Sequence, residues 1–147
     1  GTIEMLENEF SEVHIVKGTG NWWFTRSLNA GCKKAHSLGC EYILTLNDDC
    51  NFEEDFIKKL YEDYLKMKVP CIMGAITVIK SNTYRVTFSG TKNFIKWRAK
   101  LVPYLDNRKE IKINSLSGIY PTFSLMTRGL LIPLEIGETV NFFDEKY

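Results

Sequence analysis

Residues 42–51 read Tyr42-Ile43-Leu44-Thr45-Leu46-Asn47-Asp48-Asp49-Cys50-Asn51, and their order decides the fold class. Five strand formers without polar alternation predict a strand buried on both faces, which favours a parallel sheet. Before it, Leu28, Gly31, Ala35 and Leu38 recur at helical steps from Phe24, and Gly39 is a natural helix stop. After it, Phe52, Phe56, Ile57, Leu60, Tyr61, Tyr64 and Leu65 form the apolar stripe of a second helix, and Asn51 with Glu54 fits a capping box for its start. Val69-Pro70 ends that helix and Cys71–Ile79 supplies another strand. Upstream, residues 2–9 predict a short helix and Val13–Val16 a strand, broken by Gly18-Thr19-Gly20-Asn21. The first 79 residues therefore alternate helix and strand, the signature of an α/β fold with a mostly parallel central sheet flanked by helices. Beyond residue 80 the pattern shortens to β-like stretches at Tyr84–Phe88, Ile111–Ile113 and Tyr120–Leu125.

Composition sets the outer bounds. The chain has 147 residues, 44% hydrophobic and 25% charged, which suits one globular domain and argues against disorder. No apolar run reaches the roughly 18 residues of a membrane span. A net charge of +1 argues against a dedicated nucleic-acid partner. That neutrality hides a polarity: residues 1–50 carry four Lys and Arg against seven Asp and Glu, whereas 51–147 carry fifteen against eleven. Seven of those bases fall in 92–112, beside only two acids. This segment is either a solvated loop or a peripheral contact with phosphates of a lipid-linked acceptor or of the membrane surface. Cys32, Cys40, Cys50 and Cys71 form no metal-finger spacing and, without a secretory signal, fit reduced cytoplasmic thiols.

In open α/β sheets ligands bind beyond the carboxyl ends of the strands, and Asn47, Asp48 and Asp49 fall there. Two carboxylates beside an amide make a hard-oxygen cluster suited to Mg²⁺ or Mn²⁺, which take one or two protein carboxylates and share their shell with phosphates. The plain alternative is a turn that starts the next helix, since Asn and Asp favour turns and caps. Phosphatase and receiver domains also use strand-end aspartates, but their D-x-D-x-T/V and first-strand acidic-pair patterns are missing here.

The run GNWWFTRSLNAGCKKAHSLGCEYILTLNDDCNFEEDFIKKL, residues 20–60, resembles the core of the inverting family 2 glycosyltransferases, in particular bacterial members that build cell-surface polysaccharides. The matching features are the Gly/Asn loop, the N-x-G of Asn29-Ala30-Gly31, and the apolar strand closing in the D-x-D-like Leu46-Asn47-Asp48-Asp49. A second match is Thr127-Arg128-Gly129-Leu130-Leu131-Ile132-Pro133, followed by Ile136-Gly137 and Phe143-Asp144-Glu145. The resemblance is weakest over 80–118.

The resemblance implies a GT-A-like fold and transfer of a sugar from a nucleotide-diphosphate sugar donor to a glycan or lipid-linked acceptor, in the cytoplasm or at the inner membrane face. Residues 1–79 would form the nucleotide-sugar-binding half and 80–147 the acceptor-side half. Asp49 would contact the Mg²⁺ or Mn²⁺ ion, with Asp48 and Asn47 approaching the ribose or diphosphate. Asn29 and Arg26 would face the donor. Trp22 and Trp23 would stack on a sugar or pack beneath the loop, with at least one of the two in the core. Arg128 and Gly129 would lie on the acceptor side. The resemblance also implies that the chain opens and closes inside family motifs, with Asp144 and Glu145 in a structural turn and the catalytic base, an Asp of an E-D pair, beyond Tyr147. A nucleotide-sugar-binding module without turnover is therefore the alternative expectation.

Overall fold

The structure is a computed structural model, and it describes residues 1–80, 84–98, 100–105, 110–111 and 118–146. Helix α1 spans Thr2–Glu9 and α2 spans Phe24–Ser37, which ends as expected at Gly39 with a left-handed φ of +74°. Strand β1 is Tyr42–Thr45 and helix α3 is Phe56–Leu65. Strands β2 (Met73–Gly74), β3 (Thr77–Lys80) and β4 (Tyr84–Phe88) follow. Strands β5 (Thr91–Ile95) and β6 (Lys100–Pro103) flank a 3₁₀ turn at Lys96–Arg98, and β7 is Glu110–Ile111. Strand β8 (Leu130–Pro133) runs directly into α4 (Leu134–Thr139).

The sheet that carries the core has the order β1-β8-β2. Strand β8 is antiparallel to both neighbours, pairing Thr45 with Leu130 and Gly74 with the same Leu130. The expectation of a mostly parallel sheet is corrected here: every pairing among the described strands is antiparallel. Strands β1 and β2 do run in the same direction, as a helix-linked pair should. A strand from the far end of the sequence is inserted between them. Local pattern could not reveal this, because Leu130–Pro133 is as continuously apolar as a central parallel strand, and all four residues are buried.

The expected layering does hold. On one face, Ile43, Leu130 and Ile132 pack with Cys32 of α2, joined by Ala35, Phe142 and Phe143. On the other, Leu131 and Met73 pack with Leu60 of α3, joined by Tyr42, Leu44, Phe56 and Tyr64. Side chains alternate across β1 and β8, so each strand feeds both clusters. Burying the Leu130, Leu131 and Ile132 side chains stabilises the domain by roughly 1.5–3 kcal/mol each.

Four local expectations are corrected. Val13–Val16 is not a strand and both valines are exposed. Helix α3 starts at Phe56, not after Asn51, so the Asn51–Glu54 capping box does not form; Lys59 instead bonds Asp55 at 2.7 Å. Cys71–Ile79 is split between β2 and β3, which belong to different sheets. The Tyr120–Leu125 stretch is irregular. The end of the expected Ile111–Ile113 strand, with Asp106, Arg108, Lys109 and Lys112, lies outside the described residues.

Candidate active site

Leu46–Asp55 bridges the carboxyl end of β1 to α3, and both ends of this loop are fastened to one turn. The Thr45 carbonyl accepts from Gly129 N–H at 2.9 Å, and the Thr45 hydroxyl donates to the Thr127 carbonyl at 2.5 Å. At the other end, Phe56 covers Gly129. A Cβ at Gly129 would lie 3.0 Å from Phe56 Cζ and 3.1 Å from Ala75 Cβ, and its φ is +76°. Glycine is thus required twice over, for conformation and for space. The Gly129 carbonyl also accepts from Ala75 N–H at 2.9 Å, which draws in the end of β2. The carboxyl ends of β1 and β2 therefore converge on the Thr127–Gly129 turn.

Asn47, Asp48 and Asp49 form a tight turn closed by Cys50 N–H to the Asn47 carbonyl at 3.3 Å. Both aspartates are exposed and Asn47 is half-buried. The Cys50 thiol reports on its surroundings. It is held above its ordinary range by partial loss of water, by its 3.5 Å hydrogen bond to Asp49 Oδ1 and by the Asp49 charge. The Arg128 cation opposes this rise, while Asp48 adds to it. Arg128, Asp48 and Asp49 thus act on the same sulfur atom. The sequence keeps them some eighty positions apart, and the Thr45–Gly129 tie closes that gap.

Among the described residues no three His, Cys, Asp or Glu side chains cluster as a metal cage. Two exposed carboxylates on one turn instead fit a hard cation that completes its shell with phosphate and water. Asp49 is the residue that would hold it, with Asp48 beside it on the same turn. A recess of about 210 Å³ lies elsewhere, between the Val86–Thr91 backbone and Leu101, Pro103 and Leu105. The acidic turn lies outside that recess.

The other expected residues divide. The connection from α2 to β1 is short, so α2 runs back along the strand and directs its start toward the end of the sheet that holds the acidic turn. Trp23 precedes α2 and is 87% exposed. Trp22 is half-buried against the Gly18 loop, and the Arg26 guanidinium lies 5.7 Å from its ring centre. Asn29 has a different occupation from the donor contact expected of it. It is 5% exposed, its Nδ2 donates to the Phe143 carbonyl and to Glu145 Oε1, and its Oδ1 accepts from Phe143 N–H. Asn29 is a buried clamp, and both its amide hydrogens are spent. Glu145 is its partner across 116 positions, whereas Asp144 accepts from Lys146 N–H within the local turn.

Sequence reading missed the positioning role of Thr45 and Thr127. A threonine closing an otherwise apolar strand was the available signal, but its partner turn is too distant in sequence to be inferred. No described helix is long and apolar enough to cross a membrane. The family model described as Glycosyl transferase family 2 matches residues 1–134. No curated protein and no solved structure matches the chain.

Proposed function

The chain belongs to glycosyl transferase family 2, and from that premise we propose that the Asn47–Asp49 turn and Arg128 together form the diphosphate end of a nucleotide-sugar donor site. The sugar would pass to a glycan or lipid-linked acceptor. The observation that carries this reading is the attachment of the acidic turn and the Arg128 turn to each other through Thr45 and Gly129.

Charge explains why both signs are needed. A nucleoside diphosphate is a poor leaving group until its developing negative charge is neutralised. A Mg²⁺ or Mn²⁺ ion bound there supplies part of that neutralisation as a Lewis acid. Asp49 holds the ion, while Asp48 and Asn47 contact the ribose or diphosphate. Arg128, expected on the acceptor side, is better read as a fixed cation for the departing diphosphate. Gly129 acts through packing and holds Arg128 in position. Trp23 offers an aromatic face for a sugar or base, and Arg26 adds charge at the same end of the sheet.

Calorimetric titration with UDP- and dTDP-sugars in the presence of Mn²⁺ tests the binding half of the proposal. Saturable binding that disappears with chelator supports it, and no binding of either donor contradicts it. A sugar-release assay on the same samples then separates turnover from binding alone.

A further inference from the structure

We propose that the β5–β6 hairpin is a docking tongue for an anionic lipid bilayer, with Trp97 at headgroup level. The hairpin joins an apolar tip to positive charge, and no acid stands on either of its strands. Phe94 and Leu101 face each other across the two strands and are 42% and 54% exposed. Trp97 caps the tip in the 3₁₀ turn and is 77% exposed. Lys92, Lys96, Arg98 and Lys100 surround them, all exposed, and the sequence from Thr91 to Leu105 contains no acid. The Arg98 guanidinium lies 4.0 Å from the Trp97 ring centre, so charge and aromatic surface form one unit.

The base of the hairpin is hydrogen-bonded to the Pro121–Ser124 segment. Buried Thr91 accepts from Phe123 N–H at 3.1 Å, and its hydroxyl lies 2.5 Å from the Ser124 hydroxyl. The Thr91 N–H donates to the Thr122 hydroxyl at 2.6 Å, and the Tyr104 hydroxyl donates to the Pro121 carbonyl. A folded domain gains nothing internally by holding Trp97, Phe94 and Leu101 in water on such a base. A headgroup layer accommodates all three: indole rings favour the membrane–water interface, and lysine and arginine meet lipid phosphates. Charge complementarity selects an anionic surface over a neutral one. A few apolar side chains and a handful of cations predict reversible, salt-sensitive attachment and not insertion.

The test is co-sedimentation with vesicles of phosphatidylglycerol and phosphatidylcholine, alongside vesicles of phosphatidylcholine alone. The protein should bind the anionic vesicles at low ionic strength, release them as salt rises and ignore the neutral ones. Each cation removed should weaken binding about fivefold, so Lys96→Gln/Arg98→Gln/Lys100→Gln should lose on the order of a hundredfold. Brominated acyl chains should quench the tryptophan emission of the unmodified protein, and Trp97→Phe should abolish the quenching. All four positions are exposed, and circular dichroism checks that the variants fold. Absence of binding to the unmodified protein at low salt, or equal binding by the triple variant, overturns the proposal. So does binding to a soluble polyanion such as heparin without lipid quenching of Trp97. The vesicles carry no sugar donor, so this outcome and that of the donor titration are independent.

Discussion

Asn29 grips Phe143 from both ends of its amide, donating to the Phe143 carbonyl at 2.8 Å and accepting from its N–H at 3.1 Å. The two residues lie 114 positions apart, yet this contact locks the middle of α2 to the segment that follows α4. That segment is under strain at Phe142, whose φ of 54° lies in the left-handed region that bulky side chains avoid, next to Asn141 at 57°, which tolerates it. Gly137 makes room for the bend, since a Cβ there would meet Phe142 Cε1 at 2.3 Å.

The clamp predicts that Asn29→Ala destabilises the domain by about 1–3 kcal/mol, because the half-buried Phe143 carbonyl and amide lose a partner together. Urea unfolding measures this directly. A change below about 0.5 kcal/mol would show that the amide is not structural. Nucleotide affinity, measured where the variant remains folded, should stay close to that of the parent.

Gly129→Ala should destabilise by about 1–3 kcal/mol, through the strained φ and the crowding of Phe56 and Ala75. It should also weaken donor binding, because the turn that holds Arg128 must shift. Thr45→Val leaves the Thr127 carbonyl without its hydroxyl donor and should have the same two effects, with about 1–2 kcal/mol lost. If both variants lose stability and keep full donor affinity, Arg128 does not act at the site.

Alkaline stability follows from buried thiols. Burial holds Cys32 and Cys71 above the ordinary thiol range. A group whose folded pKa is raised contributes its stability below the unfolded pKa and loses it as pH rises through the folded one. Stability should therefore hold up to about pH 8 and decline above the unfolded thiol value of about 8.5. Tyr61, raised first by the neighbouring Tyr42 and then by lost hydration, extends the decline toward higher pH. Melting temperatures across this range check the trend. Cys32→Ala should start less stable, because it opens a core cavity, but should lose less between pH 8 and about 10.

Helix α2, the apolar stripe of α3 and the acidic turn were legible because local rules determine them, whereas the start of α3 and the whole of α4 were not. The apolar spacing of α2, its Gly39 stop and the Tyr42–Thr45 strand are set by neighbours a few residues away. The sheet order was not legible, because β8 reaches β1 and β2 only through long-range pairing. Gly129 shows the same boundary at the site. Its place in the motif was visible, but the reason for glycine lies in Phe56 and Ala75, which no local pattern connects to it. Asn29 shows the converse: a motif residue expected to meet the donor is consumed by Phe143 and Glu145, a use that depends on tertiary contacts alone.

In the proposed site Asp49 and Asp48 serve one donor in different ways, Asp49 through the metal and Asp48 through the nucleotide. Calorimetric titration of UDP with and without Mn²⁺ into the parent, Asp49→Ala and Asp48→Ala measures this most directly. The parent should bind UDP with a clear Mn²⁺ dependence. Asp49→Ala should retain its fold and lose that dependence, whereas Asp48→Ala should keep it at reduced affinity. An Asp49→Ala protein with undiminished Mn²⁺-dependent binding would show that Asp49 does not hold the ion.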